Sequence, residues 1–390
     1  MRIFVLGVGA TGSLIAKLLR RQGHQVACGD RDPSRARAFL GEQHLIVIQR
    51  VNARHVRDVV NAARGCHLLI NTCPAVVNKI VLRAARRMRV HYLDTASHLW
   101  QSPVRPEQFS FDRQFCKIGR TALIQAGVAP GLTNVLAAQG AESLDELDSI
   151  KIRLFEDTNS ENPVSQWSAE ASFDEAISRP RVYRDGRFLL GKRFGEREVF
   201  RFATPIGPAA VVLAAQDEVV TLPHFFRMRD MDVKIGGTDV DRLRRWFREG
   251  KLNRSRGLVA ARFPATSSPR LMTRLVRRGI LHNARFGISV LVYGRARQRP
   301  LLIRWDATFP SLLALRQRKF LYSPIAWATA QLTVVFVKHF PRQTSGVLSP
   351  EALPAATRSK ILAAVRSRGI RLSKRVIRLK TLAERVDGKA

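Results

Sequence analysis

The chain has 390 residues, and its 66 lysine and arginine residues against 31 acidic residues give a formal net charge of +35. The apolar content of 45% is that of a globular protein long enough for two domains. No apolar stretch reaches the roughly 18 to 20 residues that span a bilayer, and the strand and helix pattern of the N-terminus argues against a signal peptide.

The first dozen residues predict a nucleotide-binding turn. An apolar strand over residues 1–6 is followed by the glycine-rich run from Gly7 to Gly12, and then by a helix over residues 13–21. Gly7 allows a tight turn, Gly9 lets a pyrophosphate approach the backbone, and Gly12 lets the helix pack close to the sheet. The helix N-terminus supplies free N–H groups to the phosphates.

A second strand is predicted over residues 25–29, with Asp30 at its end. An acid at this position binds the adenosine ribose hydroxyls and favours NAD, whereas the neighbouring Arg31 would suit the 2′-phosphate of NADP or stack on adenine. The sequence therefore predicts NAD or NADP. The alternative, a glycine turn without a ligand, is disfavoured by the order of strand, helix, strand and acid.

Strands and helices continue to alternate over the first 126 residues. Further strands are predicted at 45–48, 67–71, 91–93 and 121–125, and helices at 53–63, 76–89 and 107–118. This alternation is typical of an α/β fold with a doubly wound parallel sheet covered on both faces.

The pattern changes after residue 149. Strands are predicted at 150–155, 188–189, 199–202, 218–221, 232–235, 287–293 and 301–304, with helices at 239–249 and 269–279. Arg184-Asp185-Gly186 predicts a hairpin turn. Together these elements indicate an α+β domain with a mixed or antiparallel sheet. Helices are predicted again at 323–340 and, strongly basic, at 358–384.

The four cysteines show no CxxC spacing and no paired histidine motif; they are Cys28, Cys66, Cys73 and Cys116. We therefore expect free thiols, buried at Cys28 and Cys66, no metal site and a reduced, cytoplasmic location.

The positive charge is concentrated over residues 242–319 and in the tail over 358–389. Such a field attracts nucleic acid, an anionic membrane surface or acidic metabolites. A merely arginine-rich surface is the alternative, because no nucleic-acid-binding module and few aromatic residues accompany the charge.

Further motifs follow the glycine turn in a recognisable order. They are Asn71 to Pro74, His91 to Thr95, Gly127 to Asn134, Trp167-Ser168, Met231 to Gly237, Trp327 to Gln331 and Gly346 to Glu351. In this order, the chain from residue 1 to about 354 resembles the saccharopine dehydrogenase family, in the branch that includes saccharopine reductase, lysine 6-dehydrogenase and carboxynorspermidine dehydrogenase.

The resemblance implies a Rossmann domain over residues 1–130 and an inserted α+β domain for substrate binding and dimerisation over 131–322. A segment over 323–354 would return to the Rossmann domain, and the basic helical tail over 355–390 lies outside the resemblance. The implied protein is a homodimeric NAD(P)-dependent oxidoreductase that transfers hydride at the C–N bond of an amino-acid-derived amine or imine.

The resemblance also places the site residues. The adenosine and pyrophosphate half of the cofactor would be held by Gly7, Gly9, Ala10, Thr11, Gly12, Asp30 and Arg31. The nicotinamide half would lie along Asn71, Thr72 and Pro74, and the substrate along Thr95, Ser97, Gly127, Pro130 and Gly131. These residues follow predicted strands, where ligands of doubly wound sheets bind.

When hydride moves to or from the carbon of a C–N bond, one proton must move at the nitrogen, and Asp94, His98 and Lys234 are the candidates to transfer it. Asp94 is favoured by its position at a strand end. The alternatives are a turn-capping Asp94, a surface or core His98, and a Lys234 on a solvated strand face.

The net charge favours a small anionic substrate over a polycation. The alternative function is a Rossmann-fold cofactor-binding protein without that activity, whose basic surface and tail bind nucleic acid or an anionic membrane.

Overall fold

A computed structural model of the chain describes residues 1–41, 46–99, 101–161, 164–252 and 268–382, without the side chains of residues 169–171. The chain divides into two compact units. The first comprises residues 1–132, 268–271 and 326–365, and the second comprises residues 133–267, 272–325 and 366–390. Within the described ranges, no helix combines the length and the apolar character needed to cross a membrane.

The first unit contains a seven-stranded sheet in which every strand pair is parallel. Its strands are β1 (Arg2–Leu6), β2 (Gln25–Asp30), β3 (Val47–Arg50), β4 (Leu68–Asn71), β5 (His91–Asp94), β6 (Thr121–Leu123) and β15 (Gly346–Leu348). Their order is β15-β6-β5-β4-β1-β2-β3. The direction of winding reverses between β1 and β4, which is where ligands of such sheets bind. The predicted doubly wound α/β fold is confirmed.

Helices and apolar strand faces form the core of this unit. Its helices are α1 (Ala10–Arg21), α2 (Pro33–Leu40), α3 (Val56–Ala62), α4 (Asn78–Met88), α5 (Asp112–Lys117), and most of α12 (Pro324–Lys338) and α13 (Ala355–Arg366). Phe4, Leu69 and Tyr92 from the sheet pack with Val81 and Phe115 from the helices, and all five are at most 2% exposed. Burial of these side chains fixes the strand ends that carry the site.

The second unit contains a nine-stranded mixed sheet. Its strands are β7 (Glu146–Ser160), β8 (Arg181–Arg184), β9 (Arg187–Leu190), β10 (Glu198–Arg201), β11 (Pro208–Leu213), β12 (Asp230–Gly236), β13 (Leu281–Ala296), β14 (Arg299–Thr308) and β16 (Arg371–Arg378). The main path is β10-β11-β12-β7-β13-β14-β16, with β8 paired to β12 and to β9. The pair β12 and β7 is parallel, and the other described pairs are antiparallel. The predicted mixed sheet is confirmed.

Six helices lie wholly or mainly in the second unit among the described residues. They are α6 (Leu132–Ala141), α7 (Ala169–Ile177), α8 (Leu222–Phe225), α9 (Thr238–Arg248), α10 (Pro269–Arg277) and α11 (Leu312–Gln317). The predicted hairpin is confirmed, because Arg184 pairs with Arg187 across Asp185 and Gly186, both of which have positive φ. Two such residues in sequence make the turn that matches the twist of paired strands.

Two sequence predictions of secondary structure are wrong. Residues 218–221, predicted as a strand, contain a 3₁₀ turn over Glu218–Val220 that leads into α8. A short apolar run carries no periodicity that separates a strand from a buried helical turn. The basic tail is helical only to Arg366; Gly369 then takes a φ of +81°, and β16 pairs with β14.

Other boundaries shift or were missed. The strand predicted at 45–48 is observed as β3 over Val47–Arg50, and Leu45 lies outside the described residues. Helix α7 and strand β11 had no counterpart in the prediction.

Candidate functional site

The glycine turn has the geometry that its sequence predicted. Gly7 has a φ of +92°, and its N–H donates to the Gly29 carbonyl at 2.8 Å, which joins the turn to β2. A Cβ on Gly7 would lie 2.9 Å from the Cys73 nitrogen. Both the backbone conformation and the space therefore require glycine at this position.

Gly12 holds α1 against the sheet. A Cβ at this position would lie 2.0 Å from the Gly7 carbonyl oxygen and 2.5 Å from the Thr72 hydroxyl. That hydroxyl donates to the same Gly7 carbonyl at 2.6 Å, so Thr72 supports the turn from the end of β4. The predicted close packing of helix and sheet is observed.

Gly9 differs from the other two glycines. A Cβ built on Gly9 meets no atom within 4 Å, so the space beside it is open. Gly9 precedes α1, whose N-terminus has no side-chain cap and no acidic residue in its first turn. Ala10 is buried and Thr11 is half-buried in that turn. An uncapped helix N-terminus beside open space fits the paired phosphates of a dinucleotide.

Asp30 lies beside the turn, as predicted. Its Oδ2 accepts from the Val8 N–H at 2.7 Å and its Oδ1 accepts from the Asp32 N–H at 3.0 Å. The carboxylate is therefore fixed at the end of β2, next to the Gly9 corner. Arg31 is exposed.

The predicted residues at the ends of β4 and β5 meet in a buried hydrogen-bond network. Asp94 is 1% exposed and accepts from the Tyr92 hydroxyl at 2.9 Å, the Gln108 amide at 3.2 Å and the Gln125 N–H at 2.9 Å. Asn71, also 1% exposed, donates to the Tyr92 oxygen at 3.1 Å. Burial, followed by the Asp94 charge, raises the pKa of Tyr92 well above its usual value, so the phenol stays a donor.

This network uses the polar atoms that the sequence assigned to the ligand. The Asn71 amide also donates to Asn78 at 2.9 Å, and its oxygen accepts from the Cys73 N–H at 3.2 Å. Asn71 therefore orients the loop after β4, and exposed Pro74 leads that loop toward α4.

His98 is paired with an acid. Its Nδ1 lies 2.9 Å from Glu107 Oε2, and its side chain is 20% exposed. Lys79 lies 3.8 Å from the same oxygen. Burial alone would raise the pKa of Glu107, but hydrogen bonds from His98 and the Gln101 N–H, with the charges of His98 and Lys79, bring it below its ordinary value. The ionised carboxylate orients the imidazole ring.

The loop from Gly127 to Gly131 closes on itself beside Thr95. Gly131 has a φ of +134°, and its Cβ would lie 2.1 Å from the Gly127 carbonyl oxygen. Pro130 is buried within the loop. Nearby, the Ser97 hydroxyl accepts from the Gln125 side chain at 2.7 Å. The predicted helix after the loop is observed as α6.

Lys234 lies in the second unit, on β12, and is 5% exposed. Its ammonium donates to Glu198 at 2.8 Å and lies 3.7 Å from Glu196. The solvated strand face considered for this lysine is therefore wrong, because ion pairing with these carboxylates compensates its burial.

Several network residues were missed by sequence reasoning. Tyr92, Asn78, Gln108 and Gln125 lie within predicted strands and helices, and none of them was assigned to the site. Their polar side chains were the available signal, because polar groups that become buried need hydrogen-bond partners.

Three of the four cysteines are consistent with unreactive thiols. Cys28 is buried as predicted, Cys66 and Cys73 are half-buried, and Cys116 is exposed. Burial raises the pKa of Cys28, Cys66 and Cys73 to about 12. In the described ranges, no group of three or more His, Cys, Asp or Glu side chains is arranged to hold a metal ion.

Comparison with known proteins identifies the first domain. Residues 3–123 match the family model described as "Saccharopine dehydrogenase NADP binding domain". These residues are therefore similar to the NADP-binding domain of that family. The predicted resemblance is thereby confirmed, and so is the expectation of a nicotinamide dinucleotide as the cofactor class.

Two curated relatives are carboxynorspermidine synthases. The protein of Vibrio cholerae is 33% identical over 114 residues, which cover 27% of this chain and 28% of the relative. The protein of Vibrio alginolyticus is 26% identical over 204 residues, which cover 48% of each chain. The chain thus spans less than half the length of these relatives.

A solved structure shares the fold of the whole chain. The apo saccharopine dehydrogenase (L-Glu forming) of Saccharomyces cerevisiae matches with a TM-score of 0.71 at 11% identity, over 96% of this chain and 99% of that one. At this identity the similarity establishes the fold alone, with its parallel sheet and its mixed sheet.

Proposed function

We propose that the protein is an NAD(P)-dependent oxidoreductase that acts on the C–N bond of a small amino-acid-derived amine or imine. The observation that carries the proposal is the open corner at Gly9, at the uncapped N-terminus of α1, within a domain that matches an NADP-binding family. Bound NAD(P) would supply the hydride chemistry.

The chain's own residues would bind and orient that cofactor. The first-turn N–H groups of α1 would hold the pyrophosphate, with Asp30 or Arg31 at the adenosine ribose. The remaining predicted contacts stay part of the proposal, with the nicotinamide half along the loop from Asn71 to Pro74.

Of the three proton-transfer candidates, we favour His98. Asp94 accepts three hydrogen bonds from within the protein at 1% exposure, so it suits the role of a positioning group. Lys234 is ion-paired in the second unit. His98 is partly accessible, and its ring is held by Glu107 at 2.9 Å. An imidazole is the side chain that most often exchanges protons in catalysis near neutral pH.

A turnover panel tests this function. Amino-acid-derived secondary amines and their imines are incubated with NAD, NADP and the reduced forms, and nicotinamide absorbance is followed. We expect turnover of at least one pair, and a kcat reduced about 100-fold in His98→Gln with coenzyme binding unchanged.

The matched control is His55→Gln, since His55 is 64% exposed and lies in the same unit. It should retain full activity. Coenzyme binding without turnover of any C–N substrate would count against the proposed reaction, and an unchanged kcat in His98→Gln would remove His98 from it.

A further inference from the structure

The second unit contains a partly open cavity that the proposed dinucleotide site does not use. Strand β7 contributes Glu156 to its wall, α7 contributes Glu175, and α9 contributes Asp239. Trp167 and Trp246 are among its apolar lining residues. The cavity therefore combines apolar and aromatic lining residues with three carboxyl groups, in a chain whose net charge is +35.

The surroundings of the three carboxyl groups disfavour their ionised forms. Burial, then the charges of Glu175 and Asp239, raises the pKa of Glu156 well above its usual value, although Trp167 donates a hydrogen bond to it. Burial raises the pKa of Glu175 to about 8 and that of Asp239 to about 6. Carboxyl groups enclosed together repel one another when ionised.

The cations near these groups do not return the pKa values of the carboxyl groups to their usual range. Arg242 lies 3.6 Å from Asp239, and Arg193 also lines the cavity. The charge of Arg181 lowers the pKa of Glu175, but the charges of Asp217 and Glu218 raise it. The pKa of all three carboxyl groups stays raised, chiefly because burial disfavours their ionised forms.

A second observation points to a missing hydrogen-bond donor. Gln166 lines the same cavity and is 3% exposed. Its amide nitrogen donates to the Asp157 carbonyl at 3.1 Å and to Asp239 at 3.4 Å, which fixes the orientation of the amide. Its Oε1 has no hydrogen-bond partner within the part of the chain that the structure describes. A buried amide oxygen left this way needs an N–H or O–H donor.

We propose that this cavity binds the protonated primary amine of a small ligand with an apolar body. An ammonium group has three donors and a positive charge, which matches the carboxyl groups of Glu156 and Glu175 together with Gln166 Oε1. The two tryptophans would cover the apolar body and attract the cation. The site uses residues of the second unit alone, so it stands independently of the proposed dinucleotide site.

The proposed ligand of this cavity is a cation, whereas the net charge of the chain predicts an anionic substrate. The net positive charge attracts anions at long range, and the prediction of an anionic substrate depends on that field. Within a few ångströms, the local carboxyl groups outweigh a distant surface field that salt screens.

Binding of a cation should release protons. An ammonium beside the carboxyl groups favours their ionised forms, so each pKa falls on binding and the ligand binds more tightly as the pH rises from about 6 to about 8.5. The ligand amine stays protonated over this range, because its own pKa is near that of lysine, about 10.4.

Calorimetric titration of the full chain with n-pentylamine, 1-pentanol and pentanoate tests the proposal. The three probes share one carbon chain and differ in charge. We expect saturable binding of pentylamine alone, about tenfold tighter at pH 8 than at pH 6, with proton release seen as a dependence of the heat on the buffer. Binding of pentanoate in preference to pentylamine, or no saturable binding of pentylamine, would overturn the proposal without any variant.

Two variants locate the site. Glu156→Gln and Glu175→Gln should each weaken pentylamine binding at least about tenfold, and Glu175→Gln should also flatten the pH dependence. Glu146→Gln, at a carboxylate 67% exposed in the same unit, should change neither. Undiminished binding in both cavity variants would place the amine elsewhere and contradict the proposal.

Discussion

Replacing Gly12 with alanine is expected to destabilise the first unit by about 3 kcal/mol and to abolish its coenzyme binding. The new methyl group would lie 2.0 Å from the Gly7 carbonyl oxygen, and that oxygen already accepts from Thr72. Relief requires α1 to move away from β1, which opens the turn that presents the helix N-terminus. Chemical denaturation, followed by a probe of the first unit, measures the loss.

Gly9→Ala is the matched control for this prediction. The same methyl group placed three residues earlier meets no atom within 4 Å, and the φ of −85° at Gly9 suits alanine. We expect its stability to fall by less than about 1 kcal/mol. Equal stability of the two variants would show that the helix does not pack against the turn as described.

Replacing Arg153 with methionine should destabilise the second unit by about 3 to 5 kcal/mol. Arg153 is 2% exposed on β7, where it donates to Asp232 and, at 2.6 Å, to Glu198. Asp232 is 4% exposed and, among the described residues, would keep Arg184, at 3.1 Å, as its directly bonded cation. A buried charge that loses its main partner cannot be rehydrated without opening the sheet. Thermal and chemical denaturation measure the change.

The pH dependence distinguishes this mechanism from simple loss of packing. Burial alone would raise the pKa of Asp232, but Arg153, Arg184 and Lys234 bring it below its usual value. In the wild-type protein this carboxylate contributes stability above its unfolded-state pKa and loses it as the pH falls through the folded-state pKa. In Arg153→Met the pKa rises, so the deficit against wild type should be smaller near pH 4 than near pH 7.

Arg229→Met is the control, because Arg229 also pairs with acids, at 2.8 Å from Asp230, but is 57% exposed. It should cost less than about 1 kcal/mol at either pH. A pH-independent deficit in Arg153→Met would assign its effect to packing and not to charge.

The parts of the fold that the sequence predicts well are those specified by local chemistry. The glycine turn depends on φ at Gly7 and on space at Gly12, and both glycines lie in one short segment of the sequence. The hairpin at Asp185-Gly186 and the alternation that predicts the parallel sheet are local in the same sense. The strand predicted over residues 218–221 is wrong because Val219 and Val220, both buried, can be buried equally well in a strand or in a turn.

Long-range pairing explains what the sequence could not predict. Lys234 is ion-paired because β12 places it near Glu198, 36 residues earlier in the chain. The buried amides around Asp94 come from four separate segments, and β16 is a strand because it extends the sheet at β14. Neither the composition nor the periodicity of the sequence identifies which distant residues pair with one another.

Net charge was the least transferable of the sequence features. It describes the field far from the protein, whereas the cavity chemistry depends on Glu156, Glu175 and Asp239, which lie well apart in sequence. Their proximity follows from the packing of α7 and α9 against the mixed sheet.

Calorimetric titration of NADP and NAD into the wild-type chain, Gly9→Ala and Gly9→Asp tests the central claim most directly. The carboxylate of Gly9→Asp would extend into the open space where the phosphates are proposed to lie, without touching the fold. We predict saturable binding of at least one dinucleotide to wild type and a loss of at least about 100-fold in Gly9→Asp, with unliganded stability unchanged. Binding to Gly9→Asp as tight as to wild type would contradict the assignment of the dinucleotide site.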